Sequence, residues 1–143
     1  MAKRMTEEEA LKFLAEGTRT GKLATIKKNG KPHTTPIWFV VDGKNLLFNT
    51  MNSSEKGKNL FNNPDFALTV DDQSPPYSFV IIEGKAEILD PTEEEKLMWA
   101  TKIGGRYMGT DLAEQFGRRN SIPEEYLIRL GIEKMIAYWN VSD

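Results

Sequence analysis

Residues 22–50, KLATIKKNGKPHTTPIWFVVDGKNLLFNT, decide the fold class. Two turn dipeptides, Asn29-Gly30 and Asp42-Gly43, each stand between apolar or β-branched runs. Such a pair supplies the left-handed backbone that short hairpin turns require, and the flanking residues supply the strands. The spacing predicts strands near 21–27, 32–41 and 45–49, joined as an antiparallel meander. The run IWFVV is apolar at every position and leaves no face for water, so its strand is expected at the centre of a sheet.

Working outward, Thr6 with Glu9 fits a capping box, and Ala10, Leu11 and Leu14 continue a helical stripe toward Gly17. On the other side, SSEKGKNLFNNP reads as a short helix that stops before Pro64. Phe66, Leu68 and Val70 then alternate with Ala67, Thr69 and Asp71 as a half-buried strand. After QSPPY a long strand is expected from Tyr77 to about Leu89. Glu83, Lys85 and Glu87 mark its wet face, and Gly84 is the place for a bulge or bend. DPTEEEKLMWATKIGGRYMG reads as a helix with Pro91 near its first turn, its stripes being Leu97, Met98 and Thr101, and Trp99 with Ile103. TDLAEQFGRRN fits a second short helix, and EYLIRL and MIAYWNV fit two closing strands. The sum is a mainly β chain with helical covers, in which six or seven antiparallel strands form a barrel-like sheet as one domain spanning 1–143.

Composition narrows the chemistry. The 143 residues carry a formal net charge of −2, and that near balance argues against a nucleic-acid binder. There is no cysteine and a single histidine, His33, which removes thiol catalysis and leaves little material for a zinc site. His33, beside Lys31 and Pro32, is read as a surface or strand-edge residue. The charged start MAKRMTEEEALKFLAEG is unlike a signal peptide, and no apolar run nears the roughly 20 residues of a membrane span. A cytoplasmic address and no membrane partner are expected. The glycine patterns of dinucleotide folds and P-loops are both missing.

One segment points to a ligand. In NTMNSSEKGKNL, residues 49–60, Ser53 or Ser54 suits the N-cap of the short helix. The first amides of a helix lack internal partners and carry a partial positive charge, so they attract anions. Lys56 and Lys58 add full charges about 200° apart around an ideal helix, positioned to flank an anion. The other reading is an exposed helix solvated by its lysines and balanced by Glu55.

The segment LLFNTMNSSEKGKNLFNNPDFALTVDD resembles the phosphate-binding stretch of the pyridoxamine-phosphate-oxidase-like split barrels, which bind flavin or deazaflavin. The likeness extends through GKPHTTPIWFVVDG and PPYSFVIIEGKAEI. ATKIGGRYMG, EQFGRRN and IPEEYLIRL are similar to the branch that uses the deazaflavin coenzyme F-420 and includes actinobacterial biliverdin reductases. The resemblance implies a homodimer of split β-barrels with its cofactor, F-420 or FMN, at the subunit interface. It implies that Thr34, Thr35, Pro36, Ile37 and Trp38 run along the edge of the tricyclic ring. Thr50, Ser54, Lys56, Lys58 and Asn59 would hold the ribityl and phosphate end. Tyr77, Ser78, Arg118, Arg119 and Asn120 would approach from the neighbouring subunit or border the substrate. Trp38 itself is expected to pack in a core or dimer interface rather than to stack on a ligand.

The chain departs from the family pattern in places. Oxidases of this superfamily carry Ser-Arg-Lys-Gly where this chain has Ser54-Glu55-Lys56-Gly57, and the deazaflavin branch tends to arginine where Lys58 stands. An Arg-x-His-type C-terminal segment is missing, so vitamin B6 oxidation is not expected. The function implied is hydride transfer from reduced F-420 or FMN to a conjugated small molecule such as a bilin, with Arg118 or Arg119 pairing acceptor carboxylates. The alternative is a module that stores, senses or sequesters its cofactor.

Overall fold

The computed structural model describes residues 2–143. In chain order the elements are β1 (Lys3–Arg4), α1 (Glu7–Ala15), β2 (Gly21–Ile26), β3 (Pro32–Ile37), β4 (Val40–Asp42), β5 (Asn45–Met51) and α2 (Glu55–Asn62). They continue with β6 (Asp65–Asp71), β7 (Phe79–Ile88), α3 (Glu93–Met108), α4 (Thr110–Arg119) and β8 (Glu125–Trp139). Every strand pairing is antiparallel, in the order β3-β2-β6-β7-β8-β5-β4, with β1 added to β8. This is the expected mainly β split barrel: a curled sheet with helical covers.

Both hairpins form where the turn dipeptides stand. β2 pairs β3 from Gly21↔Ile37 to Ile26↔Pro32, and β4 pairs β5 from Asp42↔Asn45 to Val40↔Leu47. The meander between them does not form. The strand expected over 32–41 is interrupted at Trp38 and Phe39, and its halves lie at opposite ends of the sheet order. IWFVV is therefore an edge-to-edge corner, not a central strand. Its apolar residues are needed on both sides for a different reason. Ile37 and Phe39 point into the barrel core, while Trp38 stacks on Tyr107 of α3 (centroids 5.2 Å apart, planes 6° apart) and tilts against Phe116 of α4 at 5.7 Å.

The corner is held by α3. Arg106 donates to the carbonyls of Gly17 (2.9 Å), Leu14 (2.8 Å) and Phe39 (2.6 Å), and its guanidinium lies over the Phe39 ring. The Tyr107 hydroxyl accepts from the Phe39 amide at 3.2 Å and donates to the Arg19 carbonyl at 2.8 Å. These bonds occupy backbone groups that an interrupted strand would otherwise leave unpaired.

α1 begins with the expected capping box between Thr6 and Glu9 and buries Ala10, Phe13 and Leu14 against the barrel interior. That core is filled from the strands by Leu23, Leu46, Phe48, Leu68, Val70, Val80, Ile82, Ile128 and Leu130. Leu47 and Leu127, which alternate to the outer face of β5 and β8, are buried outside this central cluster, as are Ala100 and Ile103 of α3. The buried face of α3 is thus Ala100, Ile103 and Gly104. Leu97 and Met98, expected as one of its stripes, are exposed. Pro91 lies just outside this helix, whose N-cap is Thr92 in a second capping box with Glu95. α4 packs closely on α3: a Cβ on Gly117 would fall 2.1 Å from Thr101 Oγ1.

The two closing strands expected after Pro123 are one strand, β8, of 15 residues. GIEK, which reads as a break, stays in the ladder because β7 pairs it on both sides of a bulge. Glu83 faces Lys134 while Gly84 faces Ile132, so Glu133 is the extra residue. Gly84 is the bulge partner that the sequence marks, with Glu83, Lys85 and Glu87 exposed around it.

Candidate functional site

The end of β5, the start of α2, the corner after β3 and the head of β8 enclose an open cleft of about 400 Å³. Pro36, Ile37 and Trp38 form one wall. Asn49, Thr50, Met51, Ser54 and Lys56 form the floor, and Asn120 and Glu125 close the far side. A cleft of similar volume beside α1 is lined by Arg4, Glu7, Lys44 and Glu133, but there Lys44 and Glu7 already pair at 3.4 Å on the surface. The first cleft differs in holding a buried polar atom with no partner, Glu125 Oε2.

Local sequence explains the floor. Ser54 is the N-cap of α2: its Oγ accepts the Gly57 amide at 3.0 Å, lies 2.7 Å from the Met51 carbonyl and shares a hydrogen bond with Thr50 Oγ1 at 2.8 Å. The first intrahelical bond is Lys58 N to the Ser54 carbonyl, so the Glu55 and Lys56 amides precede the helical ladder. Gly57 fits because a Cβ there would meet the Met51 carbonyl at 2.6 Å. Lys56 is half-buried, and loss of hydration lowers its pKa while the Glu125 charge opposes that shift.

On the far side, the register Met51↔Glu125 fixes the head of β8 beside the end of β5. Asn49 Nδ2 donates to the Asn120 carbonyl at 3.0 Å and ties the end of α4 to the same place. Glu125 is only 8% exposed, and burial pushes its pKa up to about 7 against the pull of Lys96, Lys56 and Arg119.

Seven of the residues singled out from the sequence line this cleft: Pro36, Ile37, Trp38, Thr50, Ser54, Lys56 and Asn120. Others lie elsewhere. Thr34 is exposed and Thr35 half-buried on β3, outside the lining. Lys58 is exposed on the outer side of α2, so only one of the two lysines faces the cleft. Asn59 is buried and donates to Thr25 Oγ1 at 3.0 Å, which pins α2 to β2. Tyr77 is exposed in the turn before β7, and Ser78 is buried there with its Oγ accepting the Asn140 amide at 3.0 Å. Arg118 pairs with Glu114 one turn back, while Arg119 lies over the Phe116 ring, outside the lining. His33 sits on the edge strand β3, away from the cleft. Among the described residues no cluster of three or more metal-ligating side chains is found, and no helix is long and apolar enough to cross a membrane.

Sequence reading did not single out Asn49, Met51 or Glu125. Asn49 and Met51 were one residue to either side of a marked position. Glu125 carried no signal at all, since a carboxylate at the start of a strand looks solvated until its partner strand is known.

The raised pKa of Glu125 has a consequence for stability. Unfolded, the group titrates near its ordinary value of 4.5; folded, it holds its proton to about pH 7. The folded state binds more protons between those values, so its stability falls as pH rises through that window. The cost at pH 8 is of order 3 kcal/mol. Glu125→Gln removes it. The expected result is a variant indistinguishable from wild type at pH 4.5 but more stable by several degrees at pH 8, read from thermal unfolding across the pH range.

General stress protein 26 of Bacillus subtilis (strain 168) is 30% identical over 95 residues, 65% of this chain and 67% of the relative. A conserved hypothetical protein of Mycobacterium tuberculosis superposes with a TM-score of 0.80 at 25% identity, covering 96% of this chain and 86% of that one. An F420 reductase superposes with a TM-score of 0.70 at 23% identity, covering 87% and 94%, a likeness of fold. The family model described as pyridoxamine 5'-phosphate oxidase matches residues 6–137, and this chain belongs to that family.

Proposed function

We propose that the chain is an oxidoreductase that holds FMN or the deazaflavin coenzyme F-420 in this cleft and reduces a conjugated small molecule, such as a bilin-type tetrapyrrole. The observation that carries this reading is the convergence, in one cleft, of the α2 N-terminus, the half-buried Lys56 and an aromatic-backed apolar wall. The residues present fit the group. The leading amides of α2 and Lys56 suit a phosphate, Asn49, Thr50 and Asn120 suit a polyol chain, and Ile37, Trp38 and Met51 suit a flat ring system.

When bound, the reduced cofactor supplies the hydride. The protein's part is to bind, orient and exclude water. Trp38 is immobilised between Tyr107 and Phe116, so the wall keeps its plane. Thr50 and Asn49 are fixed by their bonds to Ser54 and Asn120, which sets the floor before any ligand arrives. Acceptor carboxylates would pair with Arg119 rather than with Arg118, because Arg118 is engaged by Glu114. We further propose a homodimer with the cleft at its seam. Met51, in the cleft, and Phe61, on α2, are exposed apolar side chains that a second copy would cover.

The test is a titration of purified protein with FMN and with F-420, followed by anaerobic addition of conjugated acceptors to the reduced complex. Binding near one ligand per subunit and reoxidation by an acceptor support the reading. Binding without reoxidation by any acceptor makes the protein a storage or sensing module, and binding of neither ligand overturns the reading.

A further inference from the structure

The Oε2 of Glu125 is buried, and no hydrogen bond uses it. A buried carboxyl without a donor is costly, by about 1–3 kcal/mol, and in a native structure such a group marks strain, a chemical role or a partner that arrives from solvent. Its place is fixed by backbone: it faces Met51 across the β5–β8 ladder, three residues before the N-cap of α2. Three cations act on it from three elements, Lys56 from α2, Lys96 from α3 and Arg119 from α4. Among the described residues none closes to ion-pair distance with it. Lys56, the one of the three that lines the cleft, therefore remains available to an incoming anion, which must share the cleft with this carboxyl.

Resting on the cofactor reading above, we infer that Glu125 sets which phosphate ester the cleft accepts, favouring a singly charged phosphodiester over a doubly charged phosphomonoester. The reason is Coulombic. Each negative charge on the ligand is repelled by the ionised carboxylate, and the repulsion doubles for a dianion. The relief available is a proton taken from solvent, after which the Glu125 O–H donates to the ligand instead of repelling it. Burial places this proton uptake near neutrality, since the free group titrates at about 7. A monoanion asks for less: the carboxylate stays largely ionised and is balanced by Lys56, Lys96 and Arg119. FMN ends in a phosphomonoester with close to two charges at pH 8, and F-420 carries a phosphodiester with one. Glu55, exposed at the first position of α2 where the oxidases carry arginine, biases the socket in the same direction.

The experiment is isothermal titration at pH 8 in two buffers of different ionisation heat, with FMN and with F-420, which gives affinity and protons taken up per ligand. Wild type is expected to take up close to one proton per FMN bound and less than about half of that per F-420. Glu125→Gln is expected to take up none with either ligand and to tighten FMN about tenfold, with F-420 changed less than about threefold. Appearance of FMN binding only in the variant supports the inference equally. Equal proton uptake for the two ligands, or an unchanged ratio of affinities in Glu125→Gln, overturns it and leaves the cofactor reading standing. Binding of neither ligand overturns both. The proton count is measured on wild type, so it holds whether or not the variant folds.

Discussion

Lys56→Met weakens binding of a phosphate-bearing flavin about 100-fold. A charge-assisted hydrogen bond to an anion in a sheltered cleft is worth about 1.5–3 kcal/mol, which is roughly 10- to 150-fold in affinity. Lys56 is the one α2 cation that lines the cleft, and its half-burial has already removed part of its water, which lowers its pKa. That lost hydration makes its contact with a ligand anion stronger than a surface lysine's. Methionine keeps the apolar stem and discards the charge, so packing survives. The measurement is fluorescence titration with FMN beside riboflavin, which has the ring and ribityl chain without the phosphate. Riboflavin binding is expected to change less than about threefold, because the deleted contact is electrostatic. Lys58→Met serves as the internal comparison. Lys58 is exposed and outside the cleft, so the same charge change there is expected to cost less than about threefold. Equal losses from the two variants would mean that the socket is a diffuse positive surface, not a built site.

The second large effect is on the fold. Gly84→Ala is expected to cost about 4 kcal/mol and to leave little folded protein at 37 °C. A Cβ built on Gly84 lies 1.8 Å from the Gly131 carbonyl oxygen and 3.2 Å from the Glu133 amide nitrogen. Both belong to the backbone of β8 at the bulge, where the ladder runs on from Phe79↔Tyr138 to Ile88↔Ile128. A side-chain neighbour would rotate away, but a strand held by hydrogen bonds on two sides does not. Relief requires β7 and β8 to separate locally, and that breaks ladder bonds in the middle of the sheet. Urea denaturation of wild type and variant gives the difference directly. A variant within about 1 kcal/mol of wild type would show that the bulge relaxes at little cost.

These two residues differ in how openly the sequence declares them. Gly84 interrupts a strand whose neighbours alternate wet and dry, and a glycine there already reads as a bulge. Lys56 was visible beside an N-cap serine, but nothing local separated it from Lys58. The helix settles that: Gly57 packs on the Met51 carbonyl and Asn59 on Thr25, so α2 is turned with Lys56 toward the cleft and Lys58 toward water. Asn59 illustrates the same limit from the other side. Its type and position suit a ligand contact, and the fold uses it to fasten a helix to a strand.

Patterns within about ten residues were sufficient for the hairpins, the caps at Thr6 and Ser54, the alternating β6 and the positions of the helices, because each depends on neighbours in the chain. The mainly β split-barrel class followed from their order, with the family resemblance. Three things waited for the tertiary structure. IWFVV reads as a central strand because apolarity on both faces does not say what covers each face; here a barrel core covers one and the α3–α4 pair the other. EYLIRL and MIAYWNV are one strand because β7 supplies the partners that carry GIEK through its bulge. Glu125 entered the cleft only through its pairing with Met51, 74 positions earlier in the chain. Electrostatics acts through space, so the residue that most shapes this site's charge is the one that sequence spacing had no means of marking.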